Sequence, residues 1–399
     1  MDKTNRLEKN FLEFPYELFN VVFSHKSFVD INRLNVYEEN EAKHYIKNYG
    51  YDLDNPQAKT KVTAIINEAK KFIQSYLLED PEGKAPSIVI PPDILYNDDP
   101  VNLIIAASQK EKTLHQSWAC AILRIAHTIT HVDNDLSKYF MPGIKRQIFS
   151  RFMEHLRVTR QGQYVLGDEK NGSGELKLKM FEMKNEKSRE SLIMKLLHKA
   201  ENVTSDVFDR IGVRIVTFNK LDVIMVLKYL STNHVISFAN IKPSRTRNNL
   251  INVPHFLQGI EELKSHELAN WTENDVVDFL ERYLVLPPEE KTIHTDKILK
   301  ENNPYSSTMY SSVQITVRQL ITINDPFNLN LTYRFFFPFE IQILDEESYN
   351  ESRTGRASHE EYKKGQISSV RRRVLKNVLK YHESNSWKNN CKKGGNDES

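Results

Sequence analysis

The stretch Lys187–Thr217, KSRESLIMKLLHKAENVTSDVFDRIGVRIVT, combines the lysines Lys187 and Lys195, a helix start and a carboxylate-bearing strand in one short run. Ser188 is a good N-cap flanked by Glu186 and Glu190, and Leu192, Lys195, Leu196 and Lys199 recur at helical spacing, so a helix is expected to begin near Ser188. The period then changes. Phe208, Ile211, Val213, Ile215 and Val216 form an apolar, β-branched run, interrupted by Gly212, that reads as a buried strand. Asp209 and Arg214 are its polar exceptions. A carboxylate at the mouth of such a strand is costly to bury alone, so Asp209 either pairs with Arg210 or Arg214 or holds a cation.

Working outward, the 399 residues suffice for two or three domains, and 39% hydrophobic residues can build a core in each. The formal charge of +2, from 55 basic and 53 acidic residues, excludes a global basic field for non-specific nucleic-acid binding, so any polyanion site must be local. Two cysteines, Cys120 and Cys391, are too few for a disulfide framework or a zinc cluster, and a reducing cytoplasm is the expected location. The N-terminus lacks an apolar signal region and no stretch has the length of a membrane span, so neither export nor membrane association is expected.

Residues 1–142 are expected to form a helical N-terminal domain. Its first fifty residues carry aromatic side chains at helix-compatible spacing, and residues 56–78 form an amphipathic helix with Ile65, Ala69, Phe72, Ile73 and Tyr76 on one face. The proline-rich PEGKAPSIVIPPDIL reads as a surface connection, and 112–140 as the longest helix. Within that helix His127, His131 and Asp135 share one face at i, i+4 and i+8. Such a face could bind a metal, but no H-E-x-x-H motif is present, and packing beside Trp118 and Ile122 is the preferred reading. Met141-Pro142-Gly143 reads as a domain boundary and residues 162–174 as a loop, with one helix between them.

A second domain is expected over 143–385. ELKLKMFEM, from Glu175, alternates like its first strand; a helical insertion lies near 248–291; strands resume in SSVQITVRQLITI and LTYRFFFPFEIQIL. SVRRRVLKNVLKYH reads as a basic amphipathic helix, and 386–399 as a disordered tail.

KSRESLIMKL resembles the K-S-x-E-S-x-x-x-K-L start of the synthetase domain of RelA/SpoT-type enzymes, and DRIGVR is similar to that family's D-x-x-G-x-R strand. In the same order, YSSVQ at 310–314 is similar to G-Y-x-S-L-H, FEIQI at 339–343 to E-[VI]-Q-I, and HEEYK at 359–363 to a last, looser motif. The resemblance covers about residues 175–380. It implies an α+β fold, a mixed β-sheet of nucleotidyltransferase (RelA/SpoT synthetase) type flanked by helices, and transfer of pyrophosphate from ATP to a ribose 3′-hydroxyl. The chain lacks the His-Asp dipeptide of the hydrolase half of long RelA/SpoT proteins.

By this resemblance Asp209 matches the magnesium-binding aspartate, and Glu340 the second carboxylate, which serves the metal or activates the acceptor hydroxyl. Glu340 sits among aromatic residues where an idle charge would be costly. Lys187 and Lys195 match lysines on the ATP phosphates, Arg214 the arginine of the same strand, and Tyr310 the tyrosine that stacks on the acceptor base. Ser188 brings a helix N-terminus, with its free amides, to the phosphate. Gln314 takes the place of the family histidine within the nucleotide-binding set. The alternatives are ion pairing for Asp209, a solvated helix face for the lysines and core packing for Tyr310.

The sequence also departs from the pattern. Met309 stands for the glycine before the tyrosine, Asn185 for an arginine before the ATP lysine, and Leu344-Asp345 for Arg-Thr. Asp209 and Tyr310 are 101 residues apart, which requires an inserted helical unit. Arg245, Arg247, Lys297, Arg353 and Arg356 are the candidate replacement cations. Two readings result: a pyrophosphotransferase acting on a guanosine nucleotide or a related acceptor, tRNA included, with Mg2+ and ATP; or a degenerate synthetase fold that binds nucleotide or RNA without turnover. An RNA would be met by Arg371, Arg372, Arg373, Lys376 and Lys380.

Overall fold

A computed structural model of the chain describes residues 27–83, 87–167, 175–184, 186–198, 207, 209–266, 271–284, 311–325, 330–354 and 359–393. Helices α1 (Glu39–Asn48), α2 (Pro56–Tyr76), α3 (Pro92–Leu95), α4 (Pro100–Ser108), α5 (Leu114–Asp133) and α6 (Ser137–Met153) come first, followed by strands β1 (Leu156–Val158), β2 (Tyr164–Leu166), β3 (Leu176–Leu178) and β4 (Met180–Lys184). Next come α7 (Arg189–His198), β5 (Gly212–Thr217), α8 (Lys220–Thr232), β6 (Arg247–Asn248), α9 (Val253–Ser265) and α10 (Glu273–Glu281). The order ends with β7 (Val313–Asn324), β8 (Thr332–Asp345), α11 (Glu346–Thr354), α12 (His359–Val374) and α13 (Lys376–Lys393). The chain is thus mixed α+β.

Packing divides it into two compact units, each drawn from separate stretches: Met1–Asp135 with Ser188–Asp206 and Lys363–Ser399, and Leu136–Lys187 with Val207–Tyr362. Among the described residues the first unit is helical. Asn55 caps α2 by accepting from the Gln57 and Ala58 amides, Pro56 fits the first turn, and Ile65, Ile66, Ala69, Phe72 and Ile73 are buried at helical period. On α5, Trp118, Ile122, Ile125 and Ile129 are fully buried.

Cations hold the helices of this unit together from inside. Lys70 donates to the Leu95 and Asn97 carbonyls at 2.9 and 2.7 Å and pairs with Asp98 at 2.9 Å. Arg124 donates to the carbonyls of Ile31 and Val374, and Arg371 to those of Leu77 (2.9 Å) and Leu78 (3.3 Å). Arg373 clamps Asp30 with two bonds of 2.7 Å and reaches the Leu197 carbonyl at 2.8 Å. Carbonyls left over at helix ends accept from these guanidinium groups, while the buried Nε of Arg124 has no partner among the described residues.

In the second unit the described strands form a three-stranded antiparallel sheet, β1-β2-β3, and a five-stranded sheet in the order β4-β5-β8-β7-β6. The β5·β8 pairing is parallel and its neighbours antiparallel. Val213, Ile215, Phe339, Ile341, Ile343, Val313 and Ile315 alternate onto one face and build the core with Ile144, Ile148 and Phe152 of α6 and Val223 and Val226 of α8. Each fully buried large aliphatic or Phe contributes about 1.5–3 kcal/mol.

Several sequence expectations are corrected. Met141-Pro142-Gly143 lies inside α6 rather than at a boundary. Pro142 contributes no amide to the helix, and Gly143 is needed for close packing, since a Cβ there would lie 3.0 Å from Ile323 Cδ1. The helix expected over 112–140 breaks at Asn134–Leu136, giving α5 and α6. ELKLKMFEM divides at Lys179 into β3 and β4, which belong to different sheets, and β2 falls within the loop expected over 162–174. The basic C-terminal helix is two, α12 and α13, and α13 runs to Lys393 through most of the tail read as disordered, because no Gly or Pro intervenes before Gly394. Among the described residues no helix is long and apolar enough to cross a membrane.

Candidate functional site

Alternation along the five-stranded sheet puts the apolar side chains on the core face and leaves the intervening residues for the other. Register then decides which of those meet. Glu182 pairs with Arg214, Arg214 with Gln342, Gln342 with Gln314 and Gln314 with Arg247, which is one polar row across all five strands. The next row on that face is Lys184, Gly212, Glu340 and Thr316.

The side chains of the two rows are interlinked. Glu340, only 9% exposed, accepts from the Gln314 amide on one oxygen and from the Gln342 amide on the other, the latter at 2.8 Å. Gln342 in turn accepts from Lys184 and, at 3.3 Å, from Nε and Nη2 of Arg214, whose Nη1 pairs with Glu182 at 3.1 Å. Gly212 makes this possible. A Cβ there would stand 3.3 Å from Lys184 Cδ, so its absence clears the path of the lysine chain over β5. Burial, with the Arg214 cation adding to it, brings the Lys184 ammonium down to about 8.

Asp209 precedes the start of β5 by three residues, and Gly212, the first residue of β5, pairs with Glu340. Asp209 is ion-paired with Lys187 rather than with the arginines considered above. Arg210, 6% exposed, donates to the Ser137 hydroxyl and to Glu186 at 3.4 Å, and Arg214 is engaged with Glu182 and Gln342.

Ser188 and Lys195 belong to the helical unit. Ser188 caps α7, its hydroxyl accepting from the Ser191 amide at 3.3 Å, and Lys195 lies in the last turn, where a cation favours the helix dipole. α7 is held there by Arg189, which clamps Asp133 at 2.8 and 2.9 Å and also Glu68. Tyr310 lies outside the described residues, as do Asn185, Lys297 and Arg356. Arg371, 1% exposed, and Arg373 are turned inward and do not form the outer basic surface expected of that helix.

The His127, His131, Asp135 face is not a metal cluster, and among the described residues no group of three or more such ligands is present. The helix ends at Asp133, so Asp135 leaves the face, while His127 packs on Phe28 at 4.6 Å and lies 3.0 Å from the Tyr49 hydroxyl.

Lys184, Gly212 and Gln342 were missed from sequence. The available signals were the period-two placement of Glu182 and Lys184 and the lone glycine in an apolar strand. Asp209 is paired with Lys187 ahead of β5, and Glu340 on β8 accepts from two glutamine amides.

No protein-family model matches the chain, and no curated protein matches it. Among solved structures it is similar to the small alarmone synthetase 1 from Bacillus subtilis, at 10% identity and a TM-score of 0.25, over 54% of this chain and 80% of that one. It is likewise similar to that synthetase bound to its product pppGpp, at 12% identity and a TM-score of 0.25, over 53% of this chain and 80% of that one. A TM-score of 0.25 transfers neither fold nor activity to this chain.

Proposed function

We propose that the polar face of β4, β5, β8 and β7 is a nucleotide site, and that the chain is an ATP-dependent pyrophosphotransferase of RelA/SpoT synthetase type acting on the 3′-hydroxyl of a guanosine nucleotide or a related acceptor, tRNA among them. The observation that carries this reading is the interlinked row in which Glu340 is held by two glutamine amides beside Lys184 and Arg214. A strand centre that keeps a nearly buried carboxylate and two cations instead of packing is expensive unless the groups have work to do.

In the proposed reaction the acceptor 3′-oxygen bonds to the β-phosphorus of ATP, the bond from that phosphorus to the α,β-bridging oxygen breaks, and AMP leaves. Glu340 takes the hydroxyl proton. Lys184 and Arg214 neutralise phosphate charge, with Lys187 as a further cation and Gln314 orienting the base. Asp209 and Glu340 would hold magnesium, which when bound supplies charge neutralisation at the phosphates. Gain of function from positioning and electrostatics is the general pattern of phosphoryl transfer. Transfer would take place in the cytoplasm, where ATP is supplied.

A second reading, nucleotide binding without turnover, is favoured by one feature: both Glu340 oxygens already accept hydrogen bonds, so the base is occupied. The two are separated by incubating the full chain with magnesium and γ-labelled ATP against GDP, GTP, AMP and bulk tRNA in separate reactions, with Asp209→Ala as control. Label on one acceptor, lost in the variant, supports the enzyme. Nucleotide binding with no transfer to any acceptor supports the second reading.

A further inference from the structure

Between α1, α2, α4 and α5, within the helical unit, lies a pocket of about 80 Å³ that is open on one side. Ile66, Ile104, Leu123 and Ala126 line its aliphatic part. Domain interiors are close-packed and hold few voids larger than a water, and apolar cavities stay dry and take up guests such as benzene. One part of the lining is polar. Tyr45 and Tyr49 stand with ring centroids 5.5 Å apart, and the Tyr49 hydroxyl is 3.0 Å from His127 Nδ1.

Among the described lining residues there is no Asp, Glu, Lys or Arg, so a charged guest would lose its hydration without gaining a counter-charge. Burial, with neighbouring His131 adding to it, brings His127 down to about 4, so the imidazole is neutral at pH 7. An apolar hollow with a few convergent polar groups is the usual form of a small-molecule site. The pocket opens to solvent at one side and its volume is about half that of a cavity that holds benzene, so a single ring is the largest guest it seats.

We propose that this cavity binds a small, neutral, single-ring compound bearing one hydrogen-bonding group, of the size of a phenol, with its polar atom at the Tyr49–His127 pair. It is a different ligand class from the nucleotide of the sheet, and neither proposal depends on the other.

Fluorine NMR titration of the full chain with 4-fluorophenol, and separately with fluorobenzene, tests it. Saturable one-site binding of 4-fluorophenol is expected. Ala126→Leu, which fills the cavity, abolishes it; Tyr49→Phe weakens 4-fluorophenol by about three- to tenfold and leaves fluorobenzene unchanged. Absence of saturable 4-fluorophenol binding to the wild-type chain, or binding that the variants leave unaltered, overturns the proposal. Should Ala126→Leu fail to fold by circular dichroism, the contrast between the two probes in Tyr49→Phe decides.

Discussion

Lys184 on β4 crosses the whole width of β5 to donate to Gln342 on β8, and the residue it passes over is Gly212. Gly212→Val should therefore displace the lysine chain while leaving the strand intact, because valine is a good strand former. ATP affinity measured by calorimetry should fall about tenfold, with the melting temperature changed by only a few degrees.

The charge on Lys184 sets a pH dependence. Its folded value of about 8 lies below the ordinary lysine value of 10.5, so between these the unfolded chain binds more protons and stability rises with pH across that window. The groups acting on it are Arg214 and Lys187, which lower it, and Glu340 and Glu182, which raise it. Phosphate binding runs the other way: the cation is present below about pH 8 and lost above it, so ATP affinity should fall as pH rises through that value, with a bound phosphate moving the break upward. Lys184→Met should flatten both profiles in calorimetry and urea melts.

Glu340→Gln keeps the shape of the side chain and removes the proton acceptor. Turnover should fall by about 10²–10⁴-fold, the usual contribution of a general base, with ATP affinity changed far less. Equal losses in both would point to a binding role for Glu340.

His127 makes the helical unit acid-sensitive. Its folded value is about 4 against an ordinary 6.5, held down by burial and by His131 beside it, with Tyr49 and Phe28 packed on the ring. The unfolded chain therefore takes up the proton first as pH falls below 6.5, and stability on the order of 3 kcal/mol drains away between 6.5 and about 4. A His127→Phe variant should show a smaller loss over that range in urea titrations at stepped pH.

Gly259 in α9 lies beneath Tyr283, where a Cβ would come within 2.5 Å of the ring's Cγ. Gly259→Ala gains helix propensity but clashes with a side chain anchored by its hydroxyl to Glu262 at 2.7 Å. The clash should win, costing about 1–3 kcal/mol in chemical denaturation. A gain in stability would contradict the packing of α9 on the segment after α10.

Periodicity made the elements of the sheet legible. β5, β7 and β8 were marked by β-branched and aromatic runs, α2 by its spacing and α7 by its cap and spacing, because those signals are local. Register was not legible. Lys184 and Gln342 are 158 residues apart, and nothing in MFEMK announces that its lysine ends on a glutamine of FEIQI. Asp209 was correctly singled out as a charge needing a partner, but sequence could not choose Lys187 over two nearer arginines. Arg371 and Arg373 misled for the same reason, since the carbonyls that bury Arg371 belong to Leu77 and Leu78. Pro142 and Gly143 read as a break because the tight contact with Ile323 comes from a distant strand.

The central claim is that a polyphosphate nucleotide sits on the face carrying Lys184, Arg214 and Glu340. Calorimetric titration of magnesium and a non-hydrolysable ATP analogue into the full chain and into Arg214→Ala tests it under both functional readings. Binding to the wild type, weakened at least about tenfold by loss of a phosphate-facing cation, is the expected result. Equal affinity in wild type and variant, or none in the folded wild type, would contradict it.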